Sequence, residues 1–258
     1  MSEPTHHGSD APPPRIFTLA ERPDLADALD RHNGAAWPEF MLQDAVADEL
    51  WHHLHAEFAA WQLLLLDADD AILAAANSAP LAWDGSDEAL PDGWDAQFRL
   101  TVAQRAAGIR PDTLGAIQIV VAPERRGDRL AGRMVDEMRS RARAAGLHAL
   151  IACVRPTDKH LYPLTPIERY ARWTRADGAP FDPWIRLHAR LGGRIVRGAP
   201  RSMTIEGSVA EWEEWTQMAF PDSGLYVVPF ATNPVTIDRV ADRGAYHDAN
   251  VWMVHELL

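Results

Sequence analysis

The sequence predicts an α/β fold with a mixed sheet flanked by helices. Two stretches carry that reading. Residues 114–154 run as strand, basic glycine-containing turn, helix and strand. Upstream, residues 61–66 and 71–83 are apolar runs separated by Asp67-Ala68-Asp69-Asp70, the pattern of an antiparallel hairpin.

Taken in order, residues 1–14 are polar, with His6-His7 and a triple proline, and read as a disordered leader. Residues 15–19 fit a first strand, and residues 24–31 a helix after Pro23. Residues 39–59 carry a helical pattern, with Phe40, Leu42, Val46, Leu50, Leu54 and Phe58 on one face. His52, His53 and His55 sit on its flank, but no carboxylate or cysteine pattern completes a metal site. The hairpin follows, with a polar break at Asn77-Ser78. After an acidic loop over residues 84–93, residues 94–107 read as a helix.

The Ile/Val-rich run at residues 116–122 suits a strand buried on both faces, and Pro123 ends it. Leu130, Met134 and Met138 then recur four apart, widened by Ala131, Val135 and Ala142, and Gly146 stops that helix. Residues 148–154 form the next buried strand. A proline-punctuated crossing leads to a helix holding Glu168, Tyr170 and Trp173. Asp182-Pro183 opens a further helix that ends at Gly192. Residues 202–206 read as a strand, 209–218 as a helix with Trp212 and Trp215, and 250–257 as a closing strand. On that strand Val251, Met253 and His255 alternate with Trp252, Val254 and Glu256.

Composition narrows the function. The chain has 258 residues, 47% apolar, enough for one large or two modest domains. Its 25 Lys+Arg against 37 Asp+Glu give a net charge of −12, which argues against a general nucleic-acid binder. No apolar run reaches the roughly eighteen residues of a membrane span, and no signal-peptide pattern opens the chain, so a cytoplasmic protein is expected. The single cysteine, Cys153, lies in an apolar strand and reads as an inert core thiol. Walker A, G-x-S-x-G and dinucleotide-binding glycine motifs do not occur.

Against that acidic background, Arg125, Arg126, Arg129 and Arg133 crowd one helix start beside Gly127. A helix N-terminus presents unpaired amides and a positive dipole end, and a glycine lets a phosphate come close. A solvated basic helix start is the alternative.

The order Val121-x-Pro123-x-x-Arg126-Gly127-x-x-Leu130-Ala131 resembles motif A of the GNAT superfamily of acyl-CoA-dependent N-acyltransferases. The resemblance implies a GNAT fold, a mixed twisted sheet flanked by helices. It also implies that the turn at Arg126, Gly127, Asp128, Arg129, Leu130 and Ala131 holds the diphosphate of acetyl-CoA. The strand edge at Val120 and Val121 would then pair with the pantetheine and supply the donor to the thioester carbonyl. Arg129 stands where that family usually has glycine. Later, Leu187-His188-Ala189-Arg190-Leu191-Gly192-Gly193 places histidine where GNAT domains usually carry the tyrosine that protonates the departing thiolate. With Pro166-x-Glu168-x-Tyr170 and Asp182-Pro183, it is similar to the branch containing GNAT-like decarboxylase and S-acyltransferase loading modules. That branch pairs its histidine with a threonine on the preceding strand, where this chain offers Cys153 and Val154. The resemblance covers about residues 16 to 198, plus a final strand near the C-terminus; the domain is read as residues 15–198, with residues 199–258 as an elaboration of the same domain that ends in the closing strand. The stretch from 199 to about 245 has no counterpart.

Acyl transfer to an amine needs a group to take the amine proton and one to protonate the thiolate. His188 is the first candidate and Tyr170 the second, with Glu168 and Asp182 as weaker bases. Gln118 occupies the strand position where GNAT enzymes place a carboxylate, and an amide accepts no proton there. The sequence therefore points to transfer of an acetyl or short acyl group from acetyl-CoA to a small amine, without a metal. It points to no nucleic-acid or membrane partner and admits a homodimer. The alternatives are a non-catalytic acyl-CoA-binding module and a malonyl decarboxylase or S-acyltransferase.

Overall fold

The computed structural model describes residues 13–257. The predicted leader falls outside them, apart from Pro13 and Pro14. One sheet of nine strands organises the chain: β1 (Arg15–Thr18), β2 (Leu63–Leu66), β3 (Ile72–Leu81), β4 (Thr113–Val121), β5 (Ala149–Val154), β6 (Arg194–Gly207), β7 (Gly224–Tyr226), β8 (Val235–Asp238) and β9 (Arg243–Glu256). Their order is β1-β2-β3-β4-β5-β9-β8-β7, with β6 on the other edge of β9. Only β4 and β5 pair in parallel; the remaining pairs are antiparallel.

The helices are α1 (Ala26–Gly34), α2 (Ala45–Leu50), α3 (His52–His55), α4 (Trp94–Ala106), α5 (Leu130–Ala144), α6 (Ile167–Tyr170), α7 (Pro183–Arg190) and α8 (Val209–Thr216). None of them is long and apolar enough to cross a membrane. The predicted central unit is β4, a 3-10 turn at Pro123–Arg125, α5 and β5. Met134, Val135 and Met138 of α5 pack against Leu63, Leu65, Leu114 and Leu150 of the sheet. The opposite face carries Phe40, Trp94, Phe98, Trp212, Tyr246 and Trp252.

The structure corrects two readings. Residues 39–59 are not one helix but a 3-10 turn at Glu39–Gln43, then α2 and α3. Asp44 breaks the run: its backbone is extended and its carboxylate accepts from Ala47 N at 2.8 Å to start α2 afresh. The second correction is at the C-terminal end. β6 starts at Arg194 and β9 at Arg243, and they pair along most of their length. Buried Asp248 and Asn250 interrupt the apolar alternation of β9 and hid its first half. Asp248 is held there by Arg155 at 3.0 Å and by Thr232 at 2.8 Å. Residues 199 to 245 thus extend the same sheet through β7 and β8.

β4 bulges at Ile117: Asn77 pairs with Gln118 and Ser78 with Ala116, so Ile117 has no partner on β3. On its other side, β4 pairs with β5 from Thr113 opposite Ala149 as far as Ala116 opposite Ala152. Beyond that point the two strands part. Side chains satisfy the carbonyls freed there. Gln97 donates to Ala116 O at 3.0 Å and Trp94 Nε1 to Ile117 O at 2.7 Å. The His32 ring lies 3.3 Å from Val120 O.

Behind this opening α2 and α4 meet at a pair of carboxyls. Burial raises the pKa of both Asp44 and Asp95, and the neighbouring Asp44 charge pushes Asp95 further, to about 8. Asp44 Oδ2 and Asp95 Oδ1 have no other partner among the described residues, as expected for two carboxyls sharing a proton. In the unfolded chain Asp95 would lose its proton near pH 3.9. Stability is therefore expected to fall as pH rises from about 4 towards about 8, where the folded protein binds the extra proton. Asp95→Asn keeps a donor for Asp44 and should flatten that slope. At pH 8 it should raise the melting temperature by about 2–4 °C, for roughly 1 kcal/mol. An unchanged slope in the variant would contradict the shared proton.

Candidate active site

The parting of β4 and β5 opens a cleft of about 840 Å³. One wall is the far half of β4, Ile117 to Val121, and the other is Cys153 and Val154 of β5 with Arg155 beyond it. At one end lie Arg126, Ala131, Val135 and Met138 at the start of α5. At the other lie Asp30, Trp37, Asp48 and Trp51 from α1 to α3, with Trp94 of α4. Trp184 and His188 of α7 close the side.

The turn before α5 has the features an anion site requires. Gly127 has φ +101°, with nothing within 4 Å of where a Cβ would stand. No side chain caps α5 and no acidic residue sits in its first turn. Among the described residues, the amides of Gly127, Arg129, Leu130, Ala131 and Gly132 have no hydrogen-bond partner. Arg126 and Arg129 are exposed beside them, whereas Arg125 is paired with Asp128 at 2.7 Å. Of the predicted residues, Val120, Val121, Arg126 and Ala131 line the cleft. Gly127, Asp128 and Arg129 shape the exposed turn, and Leu130 is core. These residues fit the diphosphate of a CoA thioester.

Arg129, where the resemblance implies a glycine, adopts a backbone conformation that favours glycine. It is the N-cap of α5 with φ 61° and ψ 16°, a left-handed conformation. For a residue with a Cβ that costs roughly 1 kcal/mol. Arg129→Gly should stabilise the fold by about 0.5–1 kcal/mol. It should also raise the KM for acetyl-CoA several-fold through loss of a cation. A lower melting temperature would contradict the first expectation, and an unchanged KM the second.

Of the two predicted proton-transfer residues, only His188 reaches the cleft. It is 3% exposed, its Nδ1 lies 2.9 Å from His255 Nε2, and its Nε2 has no protein partner. Burial, then the neighbouring His255, depress its pKa to about 3, so the ring is neutral at neutral pH. Tyr170 is instead a core residue. Its hydroxyl donates to Asp182 Oδ2 at 2.9 Å, and Tyr162, Trp173 and Phe181 pack around it. Burial first, then Asp182, raise its pKa, so the proton stays where it is. Asp182 is spent as well: its Oδ1 caps α7 through Trp184 N at 2.9 Å and Ile185 N at 3.2 Å. Gln118 bridges Asn77 and Trp37, at 3.1 Å from each. Cys153 lines the cleft with its thiol 3.2 Å from Ser202 Oγ, and burial pushes its pKa up to about 12, which keeps it an unreactive thiol.

The individual side chains at the far end of the cleft were not legible in the sequence. Asp30 accepts from Trp51 Nε1 at 3.0 Å and faces His55 at 3.2 Å. Burial works against its charge, but His55 and Trp51 outweigh it and hold its pKa below the usual carboxylate range. Asn33 donates to Asn77 at 3.1 Å and leaves its Oδ1 unpartnered in the cleft lining. The signal for these residues was the early helical region, but a helical face cannot say which polar side chains bend around a pocket. His255 had a clearer signal, a histidine inside an otherwise apolar closing strand. Its partner lies 67 residues away in sequence.

No protein-family model matches the chain. The arginine N-acetyltransferase avaD of Aspergillus versicolor is 32% identical over 273 residues, covering 94% of this chain and 93% of that protein. Among solved structures, the loading GNATL domain of CurA from Lyngbya majuscula matches with a TM-score of 0.59 at 15% identity, over 95% of this chain and 98% of that one. The GphF GNAT-like decarboxylase in complex with isobutyryl-CoA matches with a TM-score of 0.58 at 19% identity, over 95% of this chain and all of that one (100%). These two likenesses concern the fold. With the fold, the parted central strands and a full-length relative in agreement, the chain belongs to the GNAT superfamily of acyl-CoA-dependent N-acyltransferases.

Proposed function

We propose that this protein acetylates the amine of a small cationic acceptor of the arginine type, using acetyl-CoA, with His188 as the proton-transfer residue. The observation that carries this reading is the single cleft. It joins the uncapped start of α5 to a far end bearing Asp30, Asp48, Trp37 and Trp51. Two carboxylates suit a guanidinium through charge-assisted hydrogen bonds. The net charge of −12 draws cations towards the protein. The relative's arginine acceptor points the same way.

When bound, acetyl-CoA supplies an activated acyl carbonyl and a thiolate leaving group. The chain's residues do the rest. The amides of Gly127 and Arg129 to Gly132 and the Arg126 guanidinium hold the diphosphate. The parted edges of β4 and β5 seat the pantetheine arm, with Val120 and Val121 along one wall. Asp30 orients the acceptor's charged end. His188 Nε2 takes the amine proton and returns it to the sulfur. Met41, Trp37 and Trp94 give the far half of the cleft an apolar lining.

Free thiol released from acetyl-CoA, measured across a panel of amines with product masses, tests this. Arginine should react faster than neutral amino acids or arylalkylamines. Asp30→Asn should raise the KM for arginine by about tenfold with kcat held, the loss of one partly exposed charged hydrogen bond. Faster turnover of neutral amines would refute the acceptor class, and absence of thiol release with every amine would refute catalysis. Carbon dioxide release from malonyl-CoA would instead favour decarboxylation.

A further inference from the structure

His188 does not stand alone in its pocket. His255 lies near the end of β9 and is fully buried, and its Nε2 meets His188 Nδ1 at 2.9 Å. Both outer nitrogens, His188 Nε2 and His255 Nδ1, lack a partner among the described residues. The pair is also built into the backbone. A Cβ on Gly193 would lie 2.8 Å from His255 Nε2 and Cε1 and 2.9 Å from the His188 carbonyl. Only glycine leaves His255 room to reach α7. Trp184 packs edge-on against His188, with ring centroids 4.5 Å apart.

Two neutral imidazoles in this contact hold one proton between them, and its position decides whether His188 Nε2 carries a lone pair or a proton. With the proton on His188 Nδ1, His188 Nε2 presents a lone pair. With it on His255 Nε2, His188 Nε2 presents a proton instead. We infer that His255 is a positioning residue that accepts a hydrogen bond from His188 Nδ1 and so keeps His188 Nε2 free to take the acceptor's proton. This deepens the reading of His188 given above and rests on it.

That arrangement fixes both tautomers. A neutral His255 that accepts at Nε2 carries its own proton on Nδ1. The charged groups facing the pair come from α5. Arg139 disfavours a cation on His255, and Asp136 offsets it in part. Burial acts first and holds His255 down to about 4. Neither ring therefore rests as a cation.

During transfer the proton leaves the attacking nitrogen for His188 Nε2 as the C–N bond forms. The charge so created on His188 is shared through the Nδ1–H hydrogen bond to His255. As the C–S bond breaks, the same Nε2 proton passes to sulfur, and both rings return to their starting state. No proton is gained or lost from the pair over the cycle.

Nitrogen-15 NMR of the folded wild-type protein at neutral pH reads the tautomers directly. The expected result is protons on Nδ1 of both rings and none on His188 Nε2. A proton on His188 Nε2 overturns the inference, whatever the activity. Two variants supply the kinetic arm. His255→Leu should lower kcat by roughly 10–100-fold with the KM for acetyl-CoA unchanged. His255→Gln, whose amide oxygen can accept from His188 Nδ1, should recover most of that loss. Wild-type kcat in folded His255→Leu, or equal losses in both folded variants, would overturn the positioning role. Where His255→Leu does not fold, the NMR result on the wild type decides. Unchanged activity in His188→Ala would count against the catalytic reading of His188 and leave the tautomer result standing.

Discussion

His188→Ala is expected to lower kcat by about 10²–10⁴-fold, the usual range for a lost proton-transfer group. The KM for acetyl-CoA should change little, because His188 lies on α7 and the amides proposed to hold the diphosphate lie at the start of α5. Loss of kcat together with kcat/KM would mark an interaction made in the transition state, whereas a rise in KM alone would mark binding. The same histidine makes a prediction for acid stability. In the unfolded chain an imidazole takes up its proton near pH 6.5. In the folded chain burial delays this to about 3 for His188 and about 4 for His255. The unfolded state therefore binds more protons in between. The contribution of the neutral pair is complete above about pH 6.5 and is lost as pH falls towards those two values. The His188→Ala variant should show a shallower loss of melting temperature between about pH 6.5 and pH 4 than the wild type. Equal slopes would mean that the pair is not neutral in the native protein.

The largest expected effect on stability lies at Gly93. A Cβ there would stand 2.3 Å from Ser202 Cα, 2.7 Å from its carbonyl oxygen and 2.9 Å from its carbonyl carbon. All three are backbone atoms, so no rotamer change relieves the clash. Ser202 lies in the extra loop of β6, where Ala199 and Met203 are out of register opposite β9. That loop pins the start of α4: Trp94 N donates to Ser202 Oγ at 2.9 Å, and Thr204 N donates to Asp95 Oδ2 at 3.0 Å. Gly93→Ala must move α4 or β6 and should cost about 3–5 kcal/mol, in the range of severe overpacking. A fall in melting temperature of at least about 6 °C is expected. Trp94 also bonds the bulged Ile117 carbonyl, so any folded fraction should lose activity as well. A melting curve within about 2 °C of wild type would show that the contact is looser than described.

What the sequence made legible follows from locality. The β4–α5–β5 unit was readable because each of its signals lies within a few residues of its effect. Pro123 stops a strand, Gly146 with φ +75° ends a helix, and Leu130, Met134 and Met138 mark one face. Asp182 and Pro183 gave the start of α7 for the same reason. The misreadings involve distance. The apolar face over residues 39–59 was real in five of its six residues: Phe40, Val46, Leu50, Leu54 and Phe58 are buried, and Leu42 is exposed. The break at Asp44 was hidden because a capping aspartate looks like any polar residue on a helix. Tyr170 carried a plausible chemistry, but burial against Asp182 decided its role, and burial is not written in a short motif. The His188–His255 contact and the Asp44–Asp95 pair join elements far apart in the chain. They become visible only when the sheet is assembled.

The position of β9 sets a condition on how that assembly proceeds. It lies beside β5, β6 and β8 at once, and its Glu256 stands opposite Ala149. During synthesis it is the last of the nine strands to emerge. Until then the apolar edge of β5 has no neighbour and is open to pairing with other chains. Pairings of such long sequence separation are slow to form. Newly made protein should therefore depend on chaperone protection or low temperature for its yield, and a permuted chain that delivers this strand earlier should reach the native state faster.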